Sequence, residues 1–116
     1  MTVLDAMYPR GPAREVSVGR IQATVASRYG LAVSELLSPS RAARVAWPRQ
    51  LAIYLAREFT GTSLQSIGQA FGGRNHATVL HACRRVSERL TTDQAAVHDL
   101  ARLRRQLSTD PDDRGC

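Results

Sequence analysis

The chain has 116 residues, enough to bury a core without staples, and its 43% hydrophobic and 22% charged residues place it among ordinary globular proteins. All sixteen basic residues are arginines, the net charge is +6, and the excess sits in one stretch: residues 41–89 hold eight arginines against two glutamates, while the remainder is balanced. These numbers exclude a disulfide-framed module, since Cys83 and Cys116 alone are expected as free thiols, and a membrane span, since no apolar run approaches the ~20 residues required.

Residues 1–15 hold Pro9, Pro12, Arg10, Arg14 and Asp5, which reads as a loose arm rather than a secretory leader, so a cytoplasmic protein is expected. A first helix starts at Ser17, repeats Val18, Ile21, Val25 and Tyr29 at helical spacing, and stops at Gly30. A short second helix, Ser34 to Leu37, is capped by Ser34 and ends before Pro39. After a linker of small residues and arginine, residues 38–44, the third helix carries Leu51, Tyr54, Leu55 and Phe59 on one side. Pro48 suits a first turn, so this helix is expected to begin near Ala46 or Trp47, and it ends at Gly61.

Ser63 caps a fourth helix with Leu64, Ile67 and Phe71 along its buried edge. Gly72-Gly73 then turns the chain into a fifth helix, capped by Asn75, with Val79, Cys83, Val86 and Leu90 at core spacing. A sixth begins at Asp93 and buries Ala96, Leu100, Leu103 and Leu107. The tail, residues 109–116, is polar and expected to be disordered. No stretch alternates with period two, so the expected fold class is all-α, with one domain over residues 16–108.

A short helix, a glycine turn and a longer helix opening on polar residues is the layout of a helix-turn-helix. Glycine allows the steep crossing, and the second helix can direct its N-terminus, with His76, Ala77, Thr78 and His81, at the edges of a major groove. Its unpaired N–H groups and positive dipole end also favour phosphate.

The wording of three blocks is more specific. GGRNHATVLHACRRV (72–86), VAWPRQLAIYLARE (45–58) and SVGRIQATVASRYGLAVSELLS (17–38) resemble, in register, the C-terminal DNA-binding domain of the bacterial replication initiator DnaA. The resemblance covers residues 16 to about 90 and implies a six-helix, Trp-repressor-like domain, here without the initiator's ATPase. It implies that Arg41 enters a minor groove and that Asn75, His76, Ala77 and Thr78 read bases. By the same resemblance, Arg44, Arg49, Gln50, Arg57, Ser63, Arg74 and His81 contact phosphate or groove. There are departures. Asn75 replaces an aspartate, Ala77 a threonine or serine, Trp47 a commonly basic residue, and the linker's basic run is thinned to Arg41 and Arg44. Fewer phosphate contacts imply weaker binding and a shallower salt dependence.

Elsewhere the plain readings are preferred. Trp47 is expected to pack, Cys83 to lie in the core, and His98, Arg102, Arg104 and Arg105 to face solvent. His76, His81 and Cys83 have no usual zinc spacing, and no nucleophile–base constellation or phosphate loop occurs, so neither metal, cofactor nor catalysis is expected. Two functions follow: a monomeric, nucleoid-associated protein that binds duplex DNA at sites like the DnaA box and modulates replication initiation or transcription, or a protein-interaction module that competes with DnaA for a regulator of initiation.

Overall fold

A computed structural model describes residues 16–108, so the expected N-terminal arm, the C-terminal tail and Cys116 lie outside the described residues. Within them the chain forms six helices: α1 (Val18–Arg28), α2 (Val33–Leu36), α3 (Ala43–Thr60), α4 (Leu64–Ala70), α5 (His76–Leu90) and α6 (Gln94–Ser108). No strand occurs among the described residues, and the all-α expectation holds. Ser17, Ser63 and Asn75 cap α1, α4 and α5, their side-chain oxygens accepting from Arg20, Ser66 and Thr78 N–H groups. Asp93 does the same for α6, its carboxylate accepting from Ala95 and Ala96. Each cap satisfies N–H groups that the helix cannot.

α3 is the centre, packing against α1, α2, α4 and α5. A helix surrounded on most sides buries more than one stripe, and beyond Leu51 and Leu55 it buries Val45, Ala52, Ile53 and Ala56, while Tyr54 and Phe59 are only half-buried. Ile21, Val25, Leu36, Ile67, Phe71, Val79, Val86, Leu100, Leu103 and Leu107 supply most of the rest of the core. Each large side chain removed from water contributes about 1.5–3 kcal/mol.

Two expected boundaries move. α3 begins at Ala43, several residues before the expected start, with Pro48 inside it. Proline deletes one helical bond, the one to Arg44, but the turn ahead is already anchored by Val45 and Ala46 N–H groups donating to the Ala42 carbonyl at 2.9 and 2.8 Å. α2 is not capped by Ser34. Its N-cap is Ala32, whose N–H donates to Glu35 Oε1 at 3.1 Å, so the carboxylate three residues on replaces the missing hydroxyl.

Polar ties fix α6. Asp99 accepts from Arg28 Nη2 at 3.0 Å and from the Tyr29 hydroxyl at 2.9 Å, and Arg104 pairs with Glu58 of α3 at 3.1 Å. Burial first, then the bond to Asp99, pushes the Tyr29 phenol up to about 12. The folded protein keeps this proton after the unfolded chain has lost it near its ordinary 10.0, so stability should fall as pH climbs from there towards 12. Spectrophotometric titration should find a late phenolate that Tyr29→Phe abolishes, and the variant should lose stability less steeply with alkali.

α4 approaches the turn that follows it without room for a side chain. A Cβ on Gly68 would collide with the Arg74 carbonyl, and the Arg74 N–H donates to the Gly68 carbonyl at 2.8 Å. Alanine improves helix propensity by about 1 kcal/mol, yet the collision is with backbone, which cannot swing aside. Gly68→Ala should therefore destabilise by about 2–3 kcal/mol, seen in calorimetry as a Tm lower by roughly 10 °C or more.

Candidate nucleic-acid interface

The turn between α4 and α5 rests on Gly72 and Gly73, at φ of 85° and 79°, a region costly for other residues. It delivers Asn75, whose Oδ1 accepts from the Thr78 N–H at 2.9 Å and the Thr78 hydroxyl at 3.1 Å. With Val79, Ala82 and Val86 turned inward, the outer face of α5 exposes His76, Ala77, Thr78, Leu80, His81, Arg84 and Arg85. The first-turn N–H groups and the positive end of the helix dipole accompany them.

Two arginines hold the linker between α2 and α3 against this turn. The Ser38 carbonyl accepts from Arg49 Nη2 at 2.7 Å and from Arg74 Nη2 at 2.9 Å. Arg49 also donates to the carbonyls of Leu36 (3.0 Å) and Ser40 (2.7 Å), and Arg74 to those of Phe71 and Leu37. Burial, and then the neighbouring Arg74, lowers the Arg49 pKa from its ordinary value. Among the described residues neither guanidinium forms an ion pair; the pair is held by backbone oxygen alone. Asn75 follows Arg74 directly and Arg41 follows Ser40, so the linker arginine and the polar end of α5 hang from the same clamp.

The expected site residues thus divide. Arg41, Asn75, His76, Ala77 and Thr78 are exposed, and Arg41 makes no hydrogen bond or ion pair among the described residues. Arg44 is exposed and pairs with Glu35 at 3.1 Å. Half-buried Gln50 lines a hollow of about 250 Å³ with Arg85, Glu88, Arg89 and Thr92. Arg57 is exposed beside the Cys83 thiol, Ser63 caps α4, and His81 is exposed. Arg49 and Arg74, expected to face phosphate, have their guanidinium groups engaged inside the protein. Sequence reasoning gave no role to Arg84 and Arg85, which are exposed without a partner among the described residues. Thr78, His81 and Arg85 fall at i, i+3 and i+7, a spacing that puts them on one face and would have found Arg85.

Three further side chains differ from simple expectation. Cys83 is half-buried rather than in the core, because Ala82 takes the inward position; burial raises its pKa and Arg57 opposes that. Trp47 packs at the edge of the core, and its ring carries the Arg89 guanidinium at 4.1 Å, while Arg89 Nε pairs with Asp93 at 3.1 Å. Among the described residues no three His, Cys, Asp or Glu side chains gather as a metal site, and no helix is long and apolar enough to cross a membrane.

Residues 18–86 match the family described as bacterial dnaA protein helix-turn-helix. The chain belongs to that family. It is 49% identical over 91 residues to the chromosomal replication initiator protein DnaA of Latilactobacillus sakei, covering 78% of this chain and 20% of that protein. With DnaA of Burkholderia multivorans the identity is 46% over 94 residues, 81% of this chain and 18% of the relative. With DnaA of Cereibacter sphaeroides it is 42% over 98 residues, 84% and 22%. The crystal structure of a DNA replication initiation factor superposes with a TM-score of 0.70 at 33% identity, covering 78% of this chain and 27% of that one. The chain thus spans about a fifth of the length of the DnaA proteins it matches, and the family match runs from the start of α1 through most of α5, taking in α4 and the Gly72-Gly73 turn.

The clamp yields a measurable consequence for this DnaA-family domain. Arg49→Ala removes three charge-assisted bonds and strands the Leu36 and Ser40 carbonyls, Ser38 keeping Arg74, so urea denaturation should show a loss of about 2–4 kcal/mol. Arg49→Lys should recover little of it, since a point charge cannot reproduce the planar fork. A cost below about 0.5 kcal/mol, the range of ordinary surface substitutions, would show that the side chain works outside the fold.

Proposed function

We propose that the chain binds duplex DNA in a sequence-dependent manner, at sites resembling the DnaA box, and thereby modulates replication initiation or transcription without hydrolysing ATP itself. The observation that carries this reading is the exposed first turn of α5, His76 to Thr78, set beside a partner-free Arg41 by the arginine clamp, in a chain of the DnaA helix-turn-helix family. In it, α5 enters a major groove, with Asn75, His76, Ala77 and Thr78 at base edges and the Ala77 methyl suited to a thymine methyl. Arg41 enters the adjoining minor groove, where a narrow A·T tract concentrates negative potential. Arg44, Gln50, Arg57, Ser63, His81, Arg84 and Arg85 supply backbone contacts. Arg49 and Arg74 contribute positive potential and geometry from inside. DNA of the nucleoid is the partner.

One observation favours a second reading. With Arg49 and Arg74 engaged internally, fewer cations remain for phosphate, and a weakly gripping member of the family could act by occupying a regulator that otherwise serves DnaA.

Band-shift or anisotropy titrations on a DnaA-box duplex and a scrambled duplex, at one moderate salt concentration, test the first reading. Arg41→Ala should leave the Tm within about 1–2 °C, as surface substitutions do, while cutting affinity several-fold. His76→Ala should cost about 1–3 kcal/mol on the preferred site and less on the scrambled one. Equal binding of both duplexes by the unmodified protein would defeat sequence-dependent recognition. If Arg41→Ala loses DNA affinity yet keeps its full effect on initiation in cells, the working surface faces another protein.

A further inference from the structure

The first turn of α5 has a fixed donor–acceptor polarity, and this assigns the bases it would accept. The inference rests on the duplex-DNA reading above. The Asn75 side chain carries one oxygen, and that oxygen is used: Oδ1 accepts from both the Thr78 N–H (2.9 Å) and the Thr78 hydroxyl (3.1 Å). A backbone N–H can only donate, so the amide orientation follows from chemistry, and two bonds occupy both lone pairs of the oxygen. What Asn75 leaves free is its NH₂ group, with donors alone. Thr78 is the complement. Its hydroxyl hydrogen must be the one in the bond to Oδ1, because Oδ1 has none to give, so Thr78 Oγ1 is left with acceptor capacity only. Both side chains are exposed.

We propose that Asn75 selects a base with a major-groove acceptor edge, guanine or thymine, and that Thr78 selects one with an amino group, adenine or cytosine. Asparagine's familiar two-pronged pairing with adenine requires its oxygen to accept from N6 and its nitrogen to donate to N7. Here the oxygen is already committed, so adenine keeps at most a single bond at N7 while its amino group meets a second donor. Cytosine presents only its amino group and is refused for the same reason. Guanine offers O6 and N7, and thymine O4, to the free NH₂. The cap therefore does two jobs at once: the bonds that start the helix also decide which way round a base pair is read.

The test is selection from a pool of random duplexes with the full chain, followed by anisotropy titration of single-base-pair variants of the selected site. The unmodified protein should select a motif in which one position prefers guanine or thymine by roughly fivefold or more over cytosine, the scale of one lost or opposed base contact. Asn75→Asp keeps the cap with one oxygen and presents the other as an acceptor, so preference at that position alone should invert towards cytosine or adenine. Asn75→Ser keeps the cap without the amide and should flatten the preference there. Thr78→Val should flatten a neighbouring adenine or cytosine preference. If Asn75→Asp selects the same base as the unmodified protein, or if the position that responds already prefers cytosine, the polarity assignment is overturned while DNA binding stands. If the unmodified protein binds duplexes but selects no motif, base reading itself fails and the assignment with it.

Discussion

Two guanidinium groups meeting on one carbonyl, that of Ser38, organise the part of the molecule that faces outward. Bringing like charges together away from water is unfavourable on its own. It succeeds because the oxygens they meet are ones the helices cannot use. Leu36 closes α2 and Phe71 caps the end of α4, so their carbonyls have no helical partner. The Leu37, Ser38 and Ser40 carbonyls belong to a linker with no ladder of its own. Arg49 and Arg74 satisfy all five and in doing so tie three segments distant in sequence. Gly72 belongs to the same arrangement: a Cβ there would press on the Leu37 carbonyl and the Arg74 guanidinium.

Much of the fold could be read from local chemistry. Ser17, Ser63 and Asn75 announce helix starts because a short oxygen-bearing side chain reaches back to the first-turn N–H groups. Leu100, Leu103 and Leu107 announce a buried stripe through their spacing. Local chemistry misleads where the deciding partner is remote or the local signal is divided. Arg49 reads as a surface cation until the carbonyls 9–13 residues upstream are in place. Pro48 marks a helix start by propensity, yet packing around α3 extends the helix past it. Cys83 and Ala82 flank the inward line running from Val79 to Val86, and a pattern of threes and fours admits either; the structure takes the smaller residue where α5 meets its neighbours.

The same distinction governs the charge. Composition places eight arginines between residues 41 and 89, but counting cannot separate those that face solvent from those that hold the fold. Arg49 and Arg74 are in the clamp, Arg44 is paired with Glu35, and Arg89 lies between the Trp47 ring and Asp93. Trp47 is instructive here. It stands where the resemblance leads one to expect a cation, and it turns an arginine of α5 into a strut joining α3 to α5. The outward cations left, Arg41, Arg57, Arg84 and Arg85, form a sparser set than the net charge suggests.

The clamp has no carboxylate in it. Carbonyl oxygens do not titrate, and arginine is the side chain that keeps its charge most firmly in proteins. An ion pair between the linker and the turn would loosen in acid, when its carboxylate takes up a proton, and would be screened by salt. Hydrogen bonds from a buried and a half-buried guanidinium group to carbonyls respond weakly to both. The relative placement of Arg41 and the first turn of α5 is therefore insulated from the ionic conditions that most affect contacts with a polyanion. Acid and salt act on the outward side chains, while the frame that aims them keeps its geometry.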